Sequence, residues 1–498
     1  MNVNPITRLD YPDPDVIRVE DTYYMVSTTM HFMPGCEILQ SFDLVHWEHV
    51  TYVYETLDHT DAQQLKSGQN IYGQGMWAAS LRYHEGRFYI CFVANDTRKT
   101  YLYTSEKIDG PWKKQLIEGF YHDGSLLFDE DGRNYIVYGN DEIWITELNE
   151  NLTAPKKDGL HRLLISDHRN PKLGYEGSHI YKIDGYYYIF LIHSMRDRWM
   201  RTEACFYSDS LEGEFTGADV LCDDRGYCGQ GVAQGGIVDT PDGKWYAVLF
   251  QDFGAVGRIP ILLPVTWKDH FPFFGQNGHV PEEIEVHSTR PGYIYQPLVG
   301  SDDFCNGLLP HWQFNHDPDP RYYHLDALQG TYTITTREVC TELTQAVNTL
   351  TQRMGYPSCA AEVTVDASAL KEGDVAGLCA LQSCYAAVGI TKHHGKYEVL
   401  MLDKKEDGIL DMTEGTVVES HQMDFRLEAD FCNMKDEARC YYRVNKGDWL
   451  PIGTVHKLYF KLDHFTGCRF GLFCYAAEET GGSACFRDFK YYDVDEIS

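Results

Sequence analysis

The segment DGSLLFDEDGRNYIVYG, residues 123–139, carries the pattern that decides the fold. A short apolar run leads into an acidic, glycine-bearing turn, and an aromatic-rich run follows the turn. This order is typical of a β-hairpin, because Asp and Gly accept the tight backbone that joins two strands. The same order returns at residues 13, 78, 176 and 234, as DPDVIRVEDTYYMV, AASLRYHEGRFYICFV, EGSHIYKIDGYYYIFLIH and QGGIVDTPDGKWYAVLFQ. The chain to about residue 285 is therefore an internal repeat.

A second strand pair follows each of the first four hairpins, as in ILQSFDLVHW, LYTSEKIDGPW, ITELNENLTAP and FYSDSLEGEF. Four short strands per unit, repeated every roughly 45–65 residues, describe the blades of a β-propeller. A β-sandwich is the competing all-β arrangement, but it does not explain five equivalent hairpins. We therefore predict an all-β fold whose first domain, residues 1–290, is a five-bladed β-propeller.

The second part of the chain has a different pattern. Residues 285–301 lack the repeat and contain Pro and Gly, so we place the linker there. Alternating strands follow, among them CAAEVTVDA, KYEVLMLD and CRFGLFCYA, without helical periodicity. This pattern predicts a β-sandwich accessory domain over residues 302–498.

Charge and cysteine content restrict the class of protein. The formal net charge of −31 disfavours nucleic acid and anionic membranes as partners. The opening residues have neither the basic nor the apolar region of a secretory signal. The 15 cysteines include no CxxC pair, and many lie inside apolar strand patterns. Free buried thiols indicate a reducing compartment, so we predict a cytoplasmic location.

The repeat brings particular side chains together, because the first strand of every propeller blade starts beside the central channel. The equivalent positions in the hairpin register are Asp13, Ala78, Asp123, Glu176 and Gln234. Three of these residues are carboxylates, which raise one another's pKa when they are close, and proteins retain such clusters mainly where the altered protonation is used. The nearby Asp15 falls instead in register with Ser80, Ser125, Ser178 and Gly236.

Hydrolysis of a glycosidic bond is the chemistry that fits this trio. An inverting glycosidase needs one carboxylic acid for the leaving oxygen and one carboxylate for the attacking water, about 6.5–9.5 Å apart. A third carboxylate can orient the acid and hold its pKa up. The structural alternative is that each acidic residue only starts a hairpin, where Asp is common.

The segments YPDPDVIRV, GMWAASLRY, YHDGSLLFDEDGRNYIVYG, GYEGSHIYKIDGYYYIF and GVAQGGIVDTPDGKWYAVLFQDFGAVGRIPILLPVTW resemble, in this order, glycoside hydrolase family 43. That family contains β-xylosidases and α-L-arabinofuranosidases on a five-bladed propeller. SDDFCNGLLPHWQFNHDPD resembles the start of the family's C-terminal, concanavalin-like sandwich. The resemblance implies that Asp13 is the general base, that Glu176 is the general acid, and that Asp123 modulates the pKa of the acid and orients it.

The resemblance also implies a set of sugar-binding residues. Arg258 matches an arginine that contacts sugar hydroxyls, Trp77 matches a pocket tryptophan, and Phe32 with Met33 matches an apolar wall. Gln234 stands where many relatives have a histidine beside an axial calcium ion or water cluster, so the resemblance gives little support for a metal there. The structural alternatives are an ion pair for the arginine and core packing for the apolar residues.

We therefore expect an inverting exo-glycosidase that releases terminal pentoses, β-D-xylosyl or α-L-arabinofuranosyl, from plant cell-wall oligosaccharides. A small oligosaccharide is the expected partner, and the oligomeric state, a homo-oligomer included, stays open. No cofactor is required, although the acidic turns at 317–320 and 404–408 leave a structural calcium ion open.

The sandwich of related enzymes packs on the propeller and can send a loop toward the pocket, so residues 302–498 should be needed for full activity. Two alternatives remain. One is a non-catalytic glycan-binding protein, and the other is a retaining, sucrose-type propeller enzyme with carboxylates about 5–5.5 Å apart.

Overall fold

The computed structural model describes residues 3–167, 169–413 and 415–493, and these ranges form an all-β protein. Their helical structure consists of 3₁₀ turns at Lys66–Gly68, Gly254–Val256, Leu343–Gln345 and Cys432–Met434. No helix in the described ranges has the length and apolar character needed to cross a membrane. The strands of these ranges form five four-stranded sheets, one seven-stranded sheet and one nine-stranded sheet. The predicted propeller and sandwich are therefore confirmed.

Each four-stranded sheet is one blade, built as an antiparallel meander of consecutive strands. Blades I and II consist of β1 (Asp15–Val19), β2 (Thr22–Val26), β4 (Gly35–Ser41) and β5 (Glu48–Tyr54), then β6 (Met76–His84), β7 (Arg87–Ala94), β8 (Lys99–Ser105) and β9 (Lys113–Ile117). Blades III and IV consist of β10 (Ser125–Phe128), β11 (Asn134–Asn140), β12 (Glu142–Leu148) and β13 (His161–Ser166), then β14 (Glu176–Ile183), β15 (Tyr186–Ser194), β16 (Arg201–Ser208) and β17 (Thr216–Leu221). Blade V consists of β18 (Ala233–Asp239), β19 (Trp245–Asp252), β20 (Arg258–Lys268) and β21 (Phe271–Phe274), and a two-residue strand, β3 (Phe32–Met33), lies between β2 and β4.

Hydrogen bonds between innermost strands hold the blades around the channel. The Leu81 N–H donates to Asp15 Oδ2 at 2.7 Å, which joins blade II to blade I. The Ser80 and Ser125 hydroxyl oxygens accept the corresponding bond from the next blade at 3.1 and 3.0 Å. The Gly236 N–H of blade V donates to a backbone carbonyl of blade I at 3.1 Å. This bond joins the last blade to the first and so closes the ring of five blades.

Blade IV departs from the predicted register by one residue. The Ile180 N–H makes the interblade bond to Ser125 Oγ, so the residue before it, His179, occupies the position of Asp15. His179 Nδ1 also lies 3.0 Å from Asp15 Oδ1. The prediction that Ser178 is the equivalent of Asp15 is therefore wrong. Its cause is the paired length before the turn: blade IV pairs five residues, His179–Ile183, whereas blade III pairs four, Ser125–Phe128, so aligning the two Asp-Gly turns moves the register by one residue.

The sandwich has two sheets. The seven-stranded sheet has the order β23-β24-β36-β26-β32-β33-β34, and the nine-stranded sheet has the order β3-β22-β25-β35-β27-β28-β29-β30, with β31 also paired to β29. Their strands are β22 (Gln313–Asn315), β23 (Tyr323–Asp326), β24 (Thr331–Thr335), β25 (Leu350–Arg353), β26 (Ser358–Asp366), β27 (Val375–Leu381), β28 (Ala386–His393), β29 (Lys396–Lys404), β30 (Leu410–Met412), β31 (Thr416–Val418), β32 (Gln422–Asp430), β33 (Glu437–Val444), β34 (Leu450–Lys457), β35 (Arg469–Tyr475) and β36 (Ser483–Asp493).

The two domains share backbone and charge contacts that the sequence did not predict. Strand β3 of the propeller pairs with β22 of the sandwich, so the nine-stranded sheet begins in the other domain. Beside it, Arg353 Nη1 lies 2.7 Å from Glu37 Oε2, and both side chains are 3% exposed. Because a charge buried this deeply needs its partner, the propeller is not electrostatically complete without the sandwich.

All 15 cysteines are unpaired, and most of them are buried. Cys36, Cys91 and Cys205 lie inside the strands of three blades, and Cys379 and Cys474 lie in the sandwich. They pack as small apolar side chains between larger ones, which is the role that the alternating patterns predicted.

Candidate active site

The innermost strand of every blade is preceded or opened by a residue with left-handed backbone, and the five φ angles mark one shared position. These residues are Asp13 (54°), Ala78 (29°), Asp123 (48°), Gly177 (65°) and Gln234 (58°). Non-glycine residues rarely adopt this conformation, so its recurrence reflects a constraint of the fold. Glu176 lies one residue before this position, level with Trp77 and His122.

Asp13 is buried and held from both sides. Its Oδ2 accepts a hydrogen bond of 2.6 Å from the Thr28 hydroxyl, and its Oδ1 lies 3.0 Å from Arg258 Nη1. Thr28 Oγ1 in turn accepts the Ala78 N–H at 2.8 Å, which fixes the hydroxyl. Both oxygens therefore have defined directions, as a carboxylate that positions a water molecule requires.

Asp123 and Glu176 lie close together, with His122 between them. His122 Nε2 is 3.6 Å from Asp123 Oδ2 and 3.8 Å from Glu176 Oε2, and the three groups present ligand atoms within 4.8 Å of one another. Asp123 also accepts the Gly177 N–H at 3.1 Å. Blade III thus supplies a carboxylate and an imidazole that both face the carboxylate of blade IV.

Burial and charge shift the pKa values of this group. Burial raises the pKa of Asp123 to about 6, with further increases from the charges of Glu176 and Asp13 and an opposing effect of His122. The Asp123 carboxylate raises the pKa of His122 to about 9, against the effect of burial. At neutral pH, His122 is therefore an imidazolium and Asp123 is mainly ionised.

Glu176 is the most accessible of the three carboxylates, with 21% of its side chain exposed. Its Oε2 accepts a hydrogen bond of 2.8 Å from Asn140 Nδ2 at the end of β11. Arg201, the first residue of β16, forms an ion pair with Asp252 at the end of β19. The charge of Glu176 acts on Arg201, whose pKa burial lowers to about 10. Asp13 and Glu176 thus each have a basic residue nearby, namely Arg258 beside Asp13 and Arg201 near Glu176.

Aromatic rings from both domains surround the arginine of the site. The Arg258 guanidinium lies 4.4 Å from the centroid of the Phe465 ring and 5.2 Å from that of Phe250. The Phe465 ring is 5.4 Å from Trp77. Phe465 belongs to the sandwich loop 458–468 between β34 and β35, so a sandwich loop does reach the propeller channel.

Asp10 fixes that loop to the propeller. Its Oδ1 accepts the N–H of Arg258 and its Oδ2 accepts the N–H of Gly467, both at 2.8 Å. The side chain is buried, and the Cys468 N–H donates to the Ala255 carbonyl at 2.8 Å beside it. One carboxylate therefore sets the relative position of the arginine and the aromatic loop.

Several buried donors at this site have no hydrogen-bond partner among the described residues. They are Trp77 Nε1 and Arg258 Nε and Nη2. Buried polar groups in folded proteins are paired in the great majority of cases, so these donors are available to bind a polar ligand beside the carboxylates. Donors of this kind suit the hydroxyl oxygens of a sugar.

The structure brings most of the predicted site residues together. Asp13, Asp123, Glu176, Trp77 and Arg258 converge, as the contacts above describe. Several contributors were missed by sequence reasoning, namely Thr28, His122, Asn140, Arg201, Asp252 and Phe465. Only His122 carried a usable signal, because it directly precedes Asp123 in the HDGS segment.

Phe32 and Met33 do not join this group. Both are buried in β3 at the domain interface, where Arg469 lies 3.5 Å from the centroid of the Phe32 ring. Phe32 packs with sandwich residues and Met33 with blades I and II, so their apolar character serves the core. Gln234 is buried at the channel, where its side chain packs against Gly177.

Possible metal ligands lie at the site itself and in the two acidic turns that the sequence left open as calcium sites. His122, Asp123 and Glu176 have the donor atoms and spacing to hold a cation. In the turn at 317–320, Asp317 is buried 2.9 Å from His59, and Asp319 pairs with Arg321. In the turn at 404–408, Lys405 pairs with Asp411. The acidic residues of the first turn thus pair with basic side chains.

Comparisons with known proteins agree with this geometry. Residues 3–272 match the sequence profile of glycosyl hydrolases family 43, and residues 301–492 match that of the beta xylosidase C-terminal concanavalin A-like domain. A beta-xylosidase from Formosa agariphila is 27% identical over 99% of this chain and 89% of its own length. A non-reducing end alpha-L-arabinofuranosidase from Bacteroides ovatus is 25% identical over 66% of this chain and 63% of its own length.

Solved structures show the same two-domain arrangement. A chain from Bacteroides eggerthii described as a bifunctional GH43-CE protein superposes with a TM-score of 0.92 at 42% identity over 98% of this chain. This chain spans 63% of that longer one. A GH43 glycoside hydrolase engineered to display endo-xylanase and exo-arabinofuranosidase activity superposes with a TM-score of 0.86 at 28% identity, covering 99% of both chains.

Proposed function

Because the chain belongs to glycosyl hydrolases family 43, we propose that it is an inverting exo-glycosidase that releases terminal pentoses from plant cell-wall oligosaccharides. The observation that carries the proposal is the convergence of Asp13, Asp123 and Glu176 among unpaired donors. A glycan-binding protein would need the donors but not three carboxylates, one of which has its pKa raised to about 6.

In the proposed reaction, Glu176 is the general acid and Asp13 is the general base. Glu176 gives its proton to the glycosidic oxygen as the bond from that oxygen to the anomeric carbon breaks. A water molecule attacks the anomeric carbon from the opposite face, and Asp13 accepts the proton that the water loses. The bonds from Thr28 and Arg258 support this role, because they hold both oxygens of Asp13 in place.

Asp123 and His122 act on Glu176 rather than on the substrate. Asp123 is held by the Gly177 N–H, and the His122 imidazolium lies within 4 Å of both carboxylates. We assign Asp123 as the carboxylate that modulates the proton affinity of the acid and orients it. His122 partly neutralises the pair, so that three carboxylates can share a small volume.

Substrate size follows from the groups that close the site. The Phe465 ring lies 5.4 Å from the Trp77 ring and 4.4 Å from the Arg258 guanidinium at the end of a five-bladed channel, a spacing that suits a single pentose ring. The names of the relatives favour β-D-xylosyl and α-L-arabinofuranosyl units, and we propose β-xylosidase activity as the main one.

The test is a panel of 4-nitrophenyl pentosides, with xylobiose and polymeric xylan assayed beside them. We expect the highest kcat/KM for the β-D-xylopyranoside, and xylose as the product from xylobiose. Proton NMR of the first-formed sugar should show the α-anomer, which inversion produces. A β-anomer would exclude the proposed mechanism, and internal cleavage of xylan would exclude the exo mode.

A further inference from the structure

A tryptophan on a short loop of blade IV is unusually exposed for its size. Trp199 lies in the connection between β15 and β16, and its relative exposure is 46%. Strand β15 ends at Ser194, which pairs with Arg201, and β14 starts at Glu176, which pairs with Ile192. The loop 195–200 is therefore at the same end of the blade as Glu176.

Trp199 is the outermost member of a row of stacked side chains. The Arg201 guanidinium lies 5.2 Å from the centroid of the Trp199 ring and 5.4 Å from that of Phe250. Arg258 lies 5.2 Å from the centroid of the same Phe250 ring. The row thus leads from the arginine that binds Asp13 out to an indole at the surface.

The loop that carries Trp199 is held in a defined shape. The Met195 N–H donates to the Met200 carbonyl at 3.0 Å, and this bond closes the loop. Met200 is buried beneath it, and Arg196 pairs with Asp167 of the neighbouring connection. Because the loop already has a defined shape, ligand binding at Trp199 would not cost the conformational entropy of ordering the loop.

The chemistry of the reaction tells which part of the substrate meets this loop. The sugar that departs takes its proton from the general acid, so it must leave the site on the side of Glu176. Arg201 lies within the electrostatic reach of Glu176 and directly under Trp199. Sugar rings present faces of C–H groups, and these faces pack on aromatic rings.

We propose that Trp199 forms the acceptor-side subsite, where its indole stacks on the sugar residue that leaves when the terminal pentose is released. This inference rests on the proposed function, because it uses Glu176 as the acid. Trp199 should therefore favour hydrolysis of substrates whose leaving group is a sugar ring.

The test compares two substrates that share the terminal xylose. Xylobiose leaves a sugar ring on the acceptor side, whereas β-D-xylopyranosyl fluoride leaves only fluoride. We expect Trp199→Ala to lower kcat/KM for xylobiose about 10-fold, mainly through KM, and to leave kcat/KM for the fluoride within about twofold. Trp199→Phe should recover most of the loss, since it keeps an aromatic face.

Phe273→Ala is the matched control, because Phe273 is 49% exposed on β21 at the outer edge of blade V. This variant should leave kcat/KM unchanged for both substrates. An equal loss on both substrates in Trp199→Ala would show that the indole only positions Arg201, and no loss on either would also overturn the assignment. A wild-type enzyme that hydrolyses neither compound would instead contradict the proposed function itself, and the subsite with it.

Discussion

The propeller and the sandwich contribute different chemistry to the same site. The propeller supplies the three carboxylates and the two arginines, each on or beside a blade strand. The sandwich supplies Phe465 on a loop, together with the backbone N–H of Gly467 that binds Asp10. Charged groups are thus placed by the repeat, whereas the aromatic wall is placed by docking of a second domain.

We therefore expect mutations in the two domains to have different effects. A carboxylate on a blade takes part in proton transfer, so its loss should affect the chemical step directly. A loop held through Asp10 contributes binding and water exclusion, so its loss should have a graded effect. Variants in the propeller and in the sandwich loop therefore test these two roles.

The largest effect is expected for the carboxylates of the propeller. Asp13→Asn and Glu176→Gln should each lower kcat about 10²–10⁴-fold, because each removes one proton-transfer group while keeping the side chain's shape. Steady-state kinetics on an aryl xyloside, with circular dichroism as the test of folding, would measure this. Glu85→Gln, on an exposed hairpin turn, is the control and should behave as wild type. A near-normal rate in either variant would remove that residue from the assignment.

The next effect is expected at Asp10, where the two domains meet. Asp10→Ala leaves the N–H groups of Arg258 and Gly467 without their acceptor, at about 1–3 kcal/mol for each buried donor. We expect a lower Tm and a lower kcat/KM together. Asp10→Asn keeps one acceptor oxygen and should lose less of both. A fall in Tm with unchanged kcat/KM would mean that the loop does not need this bond to serve the site.

A smaller effect is expected at Phe465 itself. Phe465→Ala removes the ring over Arg258, an interaction that contributes about 0.5–2 kcal/mol, so kcat/KM should fall by up to roughly 30-fold. Leu462→Ala, a 74% exposed residue of the same loop, is the control. Equal kinetics for the two variants would show that the sandwich does not contribute through this ring.

The smallest effect is a change in pH dependence. The Asp123 carboxylate raises the pKa of His122 to about 9, so His122 should stabilise the fold below its ordinary pKa of 6.5 and lose this effect as the pH rises through 9. The difference in Tm between wild type and His122→Asn should therefore be clear at pH 7, where Asp123 is mainly ionised, and should vanish near pH 10. In Asp123→Asn, histidine NMR signals should place the His122 pKa closer to 6.5. An unchanged titration would contradict the pairing.

Sequence reasoning reached the architecture and the two carboxylates whose blades follow the repeat. Asp13 and Asp123 occupy the position that the hairpin register predicts, because turn chemistry and strand alternation are local. Glu176 was identified through the same register, yet it lies one residue earlier, since the number of paired residues before the turn differs between blades III and IV and is not visible in the hydrophobic pattern.

Long-range placement is what the sequence could not provide. Phe465 lies in a loop outside the propeller repeat, and its approach to Trp77 depends on how two domains dock. Phe32 and Met33 were expected in the sugar pocket, but their strand pairs with β22 of the sandwich. No local sequence pattern predicts this pairing. Apolar residues fit either environment equally well, so only the fold separates them.

The bond between Asp10 and Gly467 also bears on biosynthesis. It joins residues that are 457 positions apart in the sequence. A ribosome must therefore release the loop 458–468 before this wall of the site can close, even if the blades form earlier. Nascent chains that lack the loop should carry propellers of reduced activity, and full activity should follow only when the loop has left the exit tunnel. The rise to full activity in a cell-free translation reaction would thus report the emergence of the loop rather than the folding of the propeller.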